Sequence, residues 1–232
     1  MIDIKPRKIK AFSLTGRITP EVMHKAWKAV KRNRGAAGID RISIHRYAED
    51  VEARLARLMQ NLKTRGSYHS PPLKREFIPK LGSDKLRPLG IPTVEARIAQ
   101  EVIRSLINPI FEPQFHDDSF GFRHGRNCHQ AIERVLKYLN EGYRTVVDID
   151  IKAFFDEIPH KVIMAMMRAE IADGNILDLI EEFLSSGVME DGKYIATTRG
   201  APQGGLWEAS HNPPYGKKVI MRSKSINALA IR

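Results

Sequence analysis

A single cysteine, Cys128, in 232 residues excludes an internal disulfide and suits a reducing compartment. No long uncharged apolar run occurs, so no membrane-spanning helix can be placed. The opening residues MIDIKPRKIKAF lack the apolar centre of a secretory signal. A cytoplasmic protein without a membrane partner is the expectation. There is no internal repeat and no low-complexity segment. The nearest approach to a metal-binding cluster, His116, His124, Cys128 and His129, fits no standard tetrahedral zinc spacing. Acid is the scarcer charge: 27 Asp and Glu face 38 Lys and Arg, a formal net charge of +11 with a pI near 9.8. That balance points to polyanionic partners, nucleic acid before membrane. A hydrophobic content of 42% is that of a globular chain, with one large domain or two small ones.

What is present is organised around Arg144 to His160, RTVVDIDIKAFFDEIPH. Thr145 to Ile151 reads as a buried strand, with Val147, Ile149 and Ile151 on one face and Val146, Asp148 and Asp150 on the other. Two acids on an apolar strand are costly, because desolvating an unpartnered carboxylate costs several kcal/mol, on the order of enough to protonate it. A cation or a hydrogen-bonding network is therefore expected there. A strand ending in an acid and turning into a helix at Pro159 is one way to hold Mg²⁺ beside a phosphate. From these residues alone, solvated strand-end acids stay open as a reading, and the same letters also fit the strand-borne aspartates of haloacid-dehalogenase-type phosphatases.

Elsewhere the pattern is helical with two hairpins. Thr19 and Pro20 cap and open a helix carrying Val22, Ala26, Ala29 and Val30, closed at Arg34 and Gly35. RNRGAAGIDRIS follows as a basic, glycine-punctuated loop that can approach a phosphate backbone or simply link two helices. Ser43 caps one further helix with Ile44, Tyr47, Val51, Leu55, Leu58 and Leu62 in a single stripe. Lys74 to Lys80 and Lys85 to Leu89 read as a hairpin turning at Leu81 to Asp84. Lys74, Arg75, Lys80, Lys85, Arg87 and Arg97 lie on or near it, suited to a triphosphate or a nucleic-acid backbone, or to protecting a solvated sheet edge. Thr93 caps a long helix ending near Pro113. Asn127 and Gln130 form a capping pair for a helix through Val135, Leu136 and Leu139, with Arg123 and Arg126 just before its start, where phosphate is favoured. Two helices, Pro159 to about Ile171 and Asn175 to about Ser185, precede a hairpin through Asp191 and Gly192 and the glycine-rich turn RGAPQGG.

Four blocks, FIPK…KLRPLGIPT, FGFRHGRNCHQAI, DIDIKAFFDEIPH and RGAPQGG, occur in that order. From about Val22 to Gly205 the chain resembles the bacterial group II intron reverse transcriptase and maturase family. The resemblance implies an α+β, right-hand polymerase fold: fingers followed by an incomplete palm. It implies RNA-directed DNA polymerase chemistry with Mg²⁺ and dNTPs on an RNA template and a primer or DNA strand, and binding of group II intron RNA to assist splicing. Residue by residue, it makes Asp150 the first metal-binding aspartate and the Ile151 carbonyl a second oxygen ligand. Phe155 matches the aromatic beneath the nucleotide sugar; Lys80, Arg87 and Gln203 match the residues around the triphosphate. Lys74, Arg75, Arg123 and Arg126 are candidates for contacts to nucleic acid.

The implied domains are residues 1–66, an N-terminal helical extension of the fingers; 67–142, fingers with the basic hairpin; 143–205, a partial palm; and 206–232, a divergent basic tail. In the tail, Pro213, Pro214 and Gly216 break any helix, and Lys217, Lys218, Arg222, Lys224 and Arg232 face only Glu208. Disorder and an out-of-frame ending are the expectations there. In two-metal phosphoryl transfer, carboxylates must bridge both ions, and the family's partner acids lie in a YxDD turn that this sequence does not contain. The polypeptide alone is therefore expected to be inactive. A non-catalytic RNA-binding module and an unstable remnant are the competing expectations.

Overall fold

The computed structural model describes residues 10–79, 84, 86–147 and 157–200, with Arg87 described by its backbone alone. The described residues up to Asn108, together with 157–200, form one compact unit, and 109–147 form a second.

In the first unit, α1 spans Pro20–Arg32, with the Thr19 hydroxyl accepting from the Val22 amide. Its buried face is Met23, Ala26, Trp27 and Val30, so Met23 and Trp27 take the inward positions that the sequence pattern assigned to Val22 and Ala29. The single helix expected after Ser43 is two helices, α2 (Ile44–Ala48) and α3 (Val51–Lys63). The break falls at Asp50, whose φ of −137° and ψ of 44° are not helical. Aspartate is a poor helix-interior residue, because its short side chain competes for the backbone. The stripe survives the break: Tyr47, Leu55, Leu58 and Leu62 are all buried, and the Tyr47 ring packs on Trp27 with centroids 5.3 Å apart.

The basic hairpin forms as read, with β1 (Leu73–Pro79) and β2 (Leu86–Ile91) antiparallel from Lys74↔Ile91 to Pro79↔Leu86. α4 (Val94–Phe111) follows, capped by the Thr93 hydroxyl accepting from the Ala96 amide at 3.1 Å. It buries Val94, Ile98, Val102, Ile103 and Leu106. From Pro109 onward α4 belongs to the second unit.

The first unit resumes at Glu157 and contains α6 (His160–Glu170) and α7 (Gly174–Ser185). The hairpin of β3 (Val188–Glu190) and β4 (Lys193–Ile195) turns through Asp191 and Gly192, both at positive φ. β3 pairs in parallel with β1, Leu73↔Val188 and Lys74↔Met189, giving the order β2-β1-β3-β4. The N-terminal segment is sewn to the α6–α7 connection. Ala11 donates to the Glu170 carbonyl and Ala172 donates back to Ala11, both at 2.9 Å. Asp173 accepts from the Thr15 amide at 2.7 Å and hydroxyl at 2.9 Å.

The second unit holds a 3-10 turn at Glu112–Gln114, a loop, and α5 (Cys128–Asn140). Asn127 and Gln130 form a reciprocal capping box. No residue of α5 is buried, and Ile132, Val135 and Leu136 are 56%, 52% and 51% exposed. Thr145 to Val147, the described start of the expected central strand, is not in a ladder. Val146 and Val147 are exposed there, with no neighbouring strand among the described residues to satisfy their backbone groups. No helix among the described residues is long and apolar enough to cross a membrane.

Candidate functional site

Alternation along β1 puts Lys74, Glu76 and Ile78 on one face and Arg75 and Phe77 on the other. Lys74 pairs with Glu76 at 2.6 Å, both side chains about half exposed. Arg75 reaches across to β3, its Nε donating to Glu190 at 3.2 Å. That bond ties the hairpin to the sheet while leaving a quarter of the Arg75 side chain exposed. Arg87 occupies the β2 position opposite Ile78. Phe77, Ile78 and Leu86 are exposed toward the end of the hairpin.

Lys80, Asp150, Ile151, Phe155 and Gln203 lie outside the described residues. The flanks of their segments are described, and they meet. The His160 amide donates to the Thr198 carbonyl at 3.4 Å, and the Gly200 amide donates to Ile158 at 2.8 Å. The His160 ring hydrogen-bonds the Gly200 carbonyl at 2.9 Å, and Arg199 pairs with Glu157 at 2.9 Å. The end of DIDIKAFFDEIPH and the start of RGAPQGG, separated by some forty residues, thus run side by side. Nothing local in the sequence signals this pairing.

In the second unit, Arg123 and Arg126 precede α5 as read, but in different environments. Arg123 is only 8% exposed. Its guanidinium pairs with Glu112 at 2.8 Å, donates to the His116 and Ser119 carbonyls at 2.7 and 2.8 Å, and lies over the Phe115 ring. It organises the loop from within. Arg126 is more accessible: it donates to the Asp117 carbonyl at 3.1 Å and covers the Phe120 ring at 5.6 Å. It lines an open groove of about 350 Å³ with Asp118, Gln130, Arg134 and Lys137. Phe122, just before Arg123, is held at a φ of 58° and Gly125, between the two arginines, at 72°, the left-handed region that an aromatic residue rarely adopts.

One cation was placed wrongly by proximity in sequence. Arg97, read with the basic hairpin, is buried at 8% exposure and bonds the Ala36 carbonyl. Burial holds its guanidinium below the ordinary arginine value, partly offset by Asp40. The available signal was its position on the α4 face between Val94 and Ile98, where a solvated arginine does not belong. Among the described residues no group of three His, Cys, Asp or Glu side chains could hold a metal ion.

A family model described as reverse transcriptase (RNA-dependent DNA polymerase) matches residues 78–207. The chain is 35% identical over 191 residues to the group II intron-encoded protein LtrA of Lactococcus lactis subsp. cremoris, covering 82% of this chain and 31% of that protein. It is 33% identical over 196 residues to protein YkfC of Escherichia coli K12, covering 81% of this chain and 50% of YkfC. The chain therefore spans about a third to a half of the length of these relatives. Among solved structures, a chain of a partial Cas6-RT-Cas1–Cas2 complex matches with a TM-score of 0.51 over 83% of this chain and 32% of that chain, at 19% identity. This is a likeness of fold, and it agrees with the α+β fingers-and-palm architecture. With the family model covering more than half of its residues, the chain belongs to the reverse transcriptase (RNA-dependent DNA polymerase) family and, within it, is similar to the group II intron-encoded proteins.

Proposed function

We propose that this chain supplies the fingers and the first part of the palm of an RNA-directed DNA polymerase of the group II intron type. In this reading it binds intron or template RNA and takes part in Mg²⁺-dependent transfer of nucleotides from dNTPs to a primer. The observation that carries it is the meeting of Glu157–His160 with Thr198–Gly200. It sets the flank of the Asp150 stretch beside the flank of the Gln203 turn, within the unit that also carries the basic hairpin. The roles of Asp150, Ile151, Phe155, Lys80, Arg87 and Gln203 rest on their match to the family motifs.

Reverse transcriptases generally use divalent metal ions. The donors assigned here, a carboxylate on Asp150 and the Ile151 carbonyl, are hard oxygen ligands of the kind Mg²⁺ accepts. They are too few for a two-metal site, which needs further carboxylates to bridge the ions. When bound, such ions would activate a primer hydroxyl and stabilise the departing pyrophosphate. Lys74, Arg75 and Arg126 are proposed to meet phosphates, with Arg123 acting through the loop it holds. A second reading, a nucleic-acid-binding module without chemistry, is favoured by that same shortage of acids.

Two assays on the polypeptide test these readings. Salt-sensitive RNA binding that weakens on charge reversal at Arg75, Lys80 and Arg87, and is unchanged by Asp150→Ala, is expected under both. Primer extension on an RNA template with Mg²⁺ and dNTPs is expected to give no product from these residues alone. Product that vanishes with Asp150→Ala would mean that the chain holds a complete metal site, and would overturn that expectation. Absence of any RNA binding would refute both readings.

A further inference from the structure

Gly200 stands three residues before Gln203, and both of its backbone groups are committed. Its amide donates to the Ile158 carbonyl at 2.8 Å, and its carbonyl lies 2.9 Å from Nε2 of the His160 ring. A carbonyl only accepts, so the ring presents a protonated Nε2 to it. Gly200 is buried with a φ of 83°, a region that glycine enters and leaves at little steric cost. The amide bond fixes the peptide that enters Gly200. Only the ring bond fixes the peptide that leaves it toward Gln203.

The start of α6 shows why the ring matters. Pro159 precedes the helix and no side chain caps it, although the first amides of a helix have no partner within it. Here the His160 amide finds the Thr198 carbonyl at 3.4 Å. Pro159 and Arg199 face each other as an antiparallel bridge, and proline brings no N–H to it, so the two segments are held through their neighbours. Thr197 anchors the same segment from the other side, its hydroxyl donating to the Leu184 carbonyl of α7 at 3.0 Å. The remaining tie, Arg199 with Glu157, leaves 64% and 59% of those side chains exposed, and an exposed pair of this kind contributes little. His160 is the side chain that grips the Gly200 segment from a half-buried position.

We propose that His160 is a positioning residue for the incoming nucleotide: its Nε2–H, on the Gly200 carbonyl, fixes the peptide from which the Gln203 turn departs, and so sets where that turn meets a triphosphate. The proposal rests on the reading that this chain carries the nucleotide-binding face of a polymerase. It gives His160 a role exerted entirely through a main-chain carbonyl forty residues away in sequence.

The test uses the full chain with an RNA template, a dideoxy-terminated DNA primer and Mg²⁺, titrated by calorimetry with the dNTP complementary to the template, alongside hydrogen exchange at the Gly200 amide. Loss of one hydrogen bond to a neutral acceptor corresponds to roughly a three- to tenfold change in an equilibrium. His160→Ala is expected to weaken dNTP binding and to speed Gly200 exchange by that factor each, with template–primer affinity unchanged. His160→Gln carries an amide N–H at about the reach of Nε2 and should restore both. His160→Asn, too short to reach, should restore neither. A merely structural role would lower the unfolding temperature of the variants without separating Gln from Asn in dNTP affinity. Wild-type dNTP affinity in both His160→Ala and His160→Asn would overturn the proposal, as would an equal loss in His160→Gln or Gly200 protection that His160→Ala leaves intact. Wild-type chain that binds no dNTP would instead refute the polymerase reading, and with it the purpose assigned to this contact.

Discussion

Replacing Arg123 with alanine removes one guanidinium that serves four groups: the Glu112 carboxylate, the His116 and Ser119 carbonyls and the Phe115 ring. Breaking a buried ion pair from one side costs about 3–5 kcal/mol, because the remaining partner is left desolvated and uncompensated. Glu112 keeps 28% of its side chain exposed, so water recovers part of the loss and about 2–4 kcal/mol is the expected destabilisation of the 112–126 loop. Hydrogen exchange reads this directly. The Ser119 amide is bonded to His116 at 3.0 Å and the Arg126 amide to Arg123 at 3.3 Å. Both should exchange roughly 30- to 900-fold faster in Arg123→Ala, since each 1.4 kcal/mol is about tenfold. Arg123→Lys should restore little, because a point charge cannot reach a carboxylate and two carbonyls together. Wild-type protection of both amides in Arg123→Ala would refute the reasoning and leave Arg123 free to contact a ligand directly.

Asp173 yields a pH prediction. Burial by itself would raise its carboxyl, but the Thr15 amide and hydroxyl and the Ile176 and Asn175 amides outweigh burial and hold it below its usual value. A depressed carboxylate stabilises the fold fully above the unfolded value, about 4, and that contribution is lost as pH falls through the folded one. Asp173→Ala should cost about 2–3 kcal/mol near neutrality and should flatten the acid limb of stability measured by urea unfolding; an unchanged acid limb would contradict the assignment. Gly187 has a φ of 71°, and a Cβ there would lie 2.5 Å from the Tyr194 ring. Gly187→Ala should therefore lose at least about 2 kcal/mol, lowering the unfolding midpoint by about 4–8 °C. A shift under one degree would mean that the β3–β4 hairpin adapts without cost.

Sequence reasoning succeeded where a few neighbouring residues decide the outcome. The Asn127–Gln130 box, the Thr19, Ser43 and Thr93 caps and the Asp191–Gly192 turn all formed as read. Each depends on a side chain reaching a backbone group within three residues, or on one residue tolerating positive φ. The periodic stripe from Ile44 to Leu62 was legible as core, yet the break at Asp50 was not. Apolar spacing continues across the break between the two helices, and only the backbone angles record it. Arg97 and Arg123 show the limit for charged residues. Composition counts them among the cations available to a ligand, whereas burial commits both to carbonyls within the chain.

What the sequence by itself determined is the family, the order of its motifs and the local elements carrying them, because those are written in contiguous residues whose chemistry acts over a turn or a hairpin. Only the tertiary structure decided that β1 lies beside β3, with Arg75 meeting Glu190 across 115 residues. It alone joined the flank of the Asp150 stretch to the start of the Gly200 turn and pinned the 33–42 loop to α4 through Arg97. Such contacts form when buried faces are satisfied together, and no periodicity within a segment specifies which distant segment will cover it.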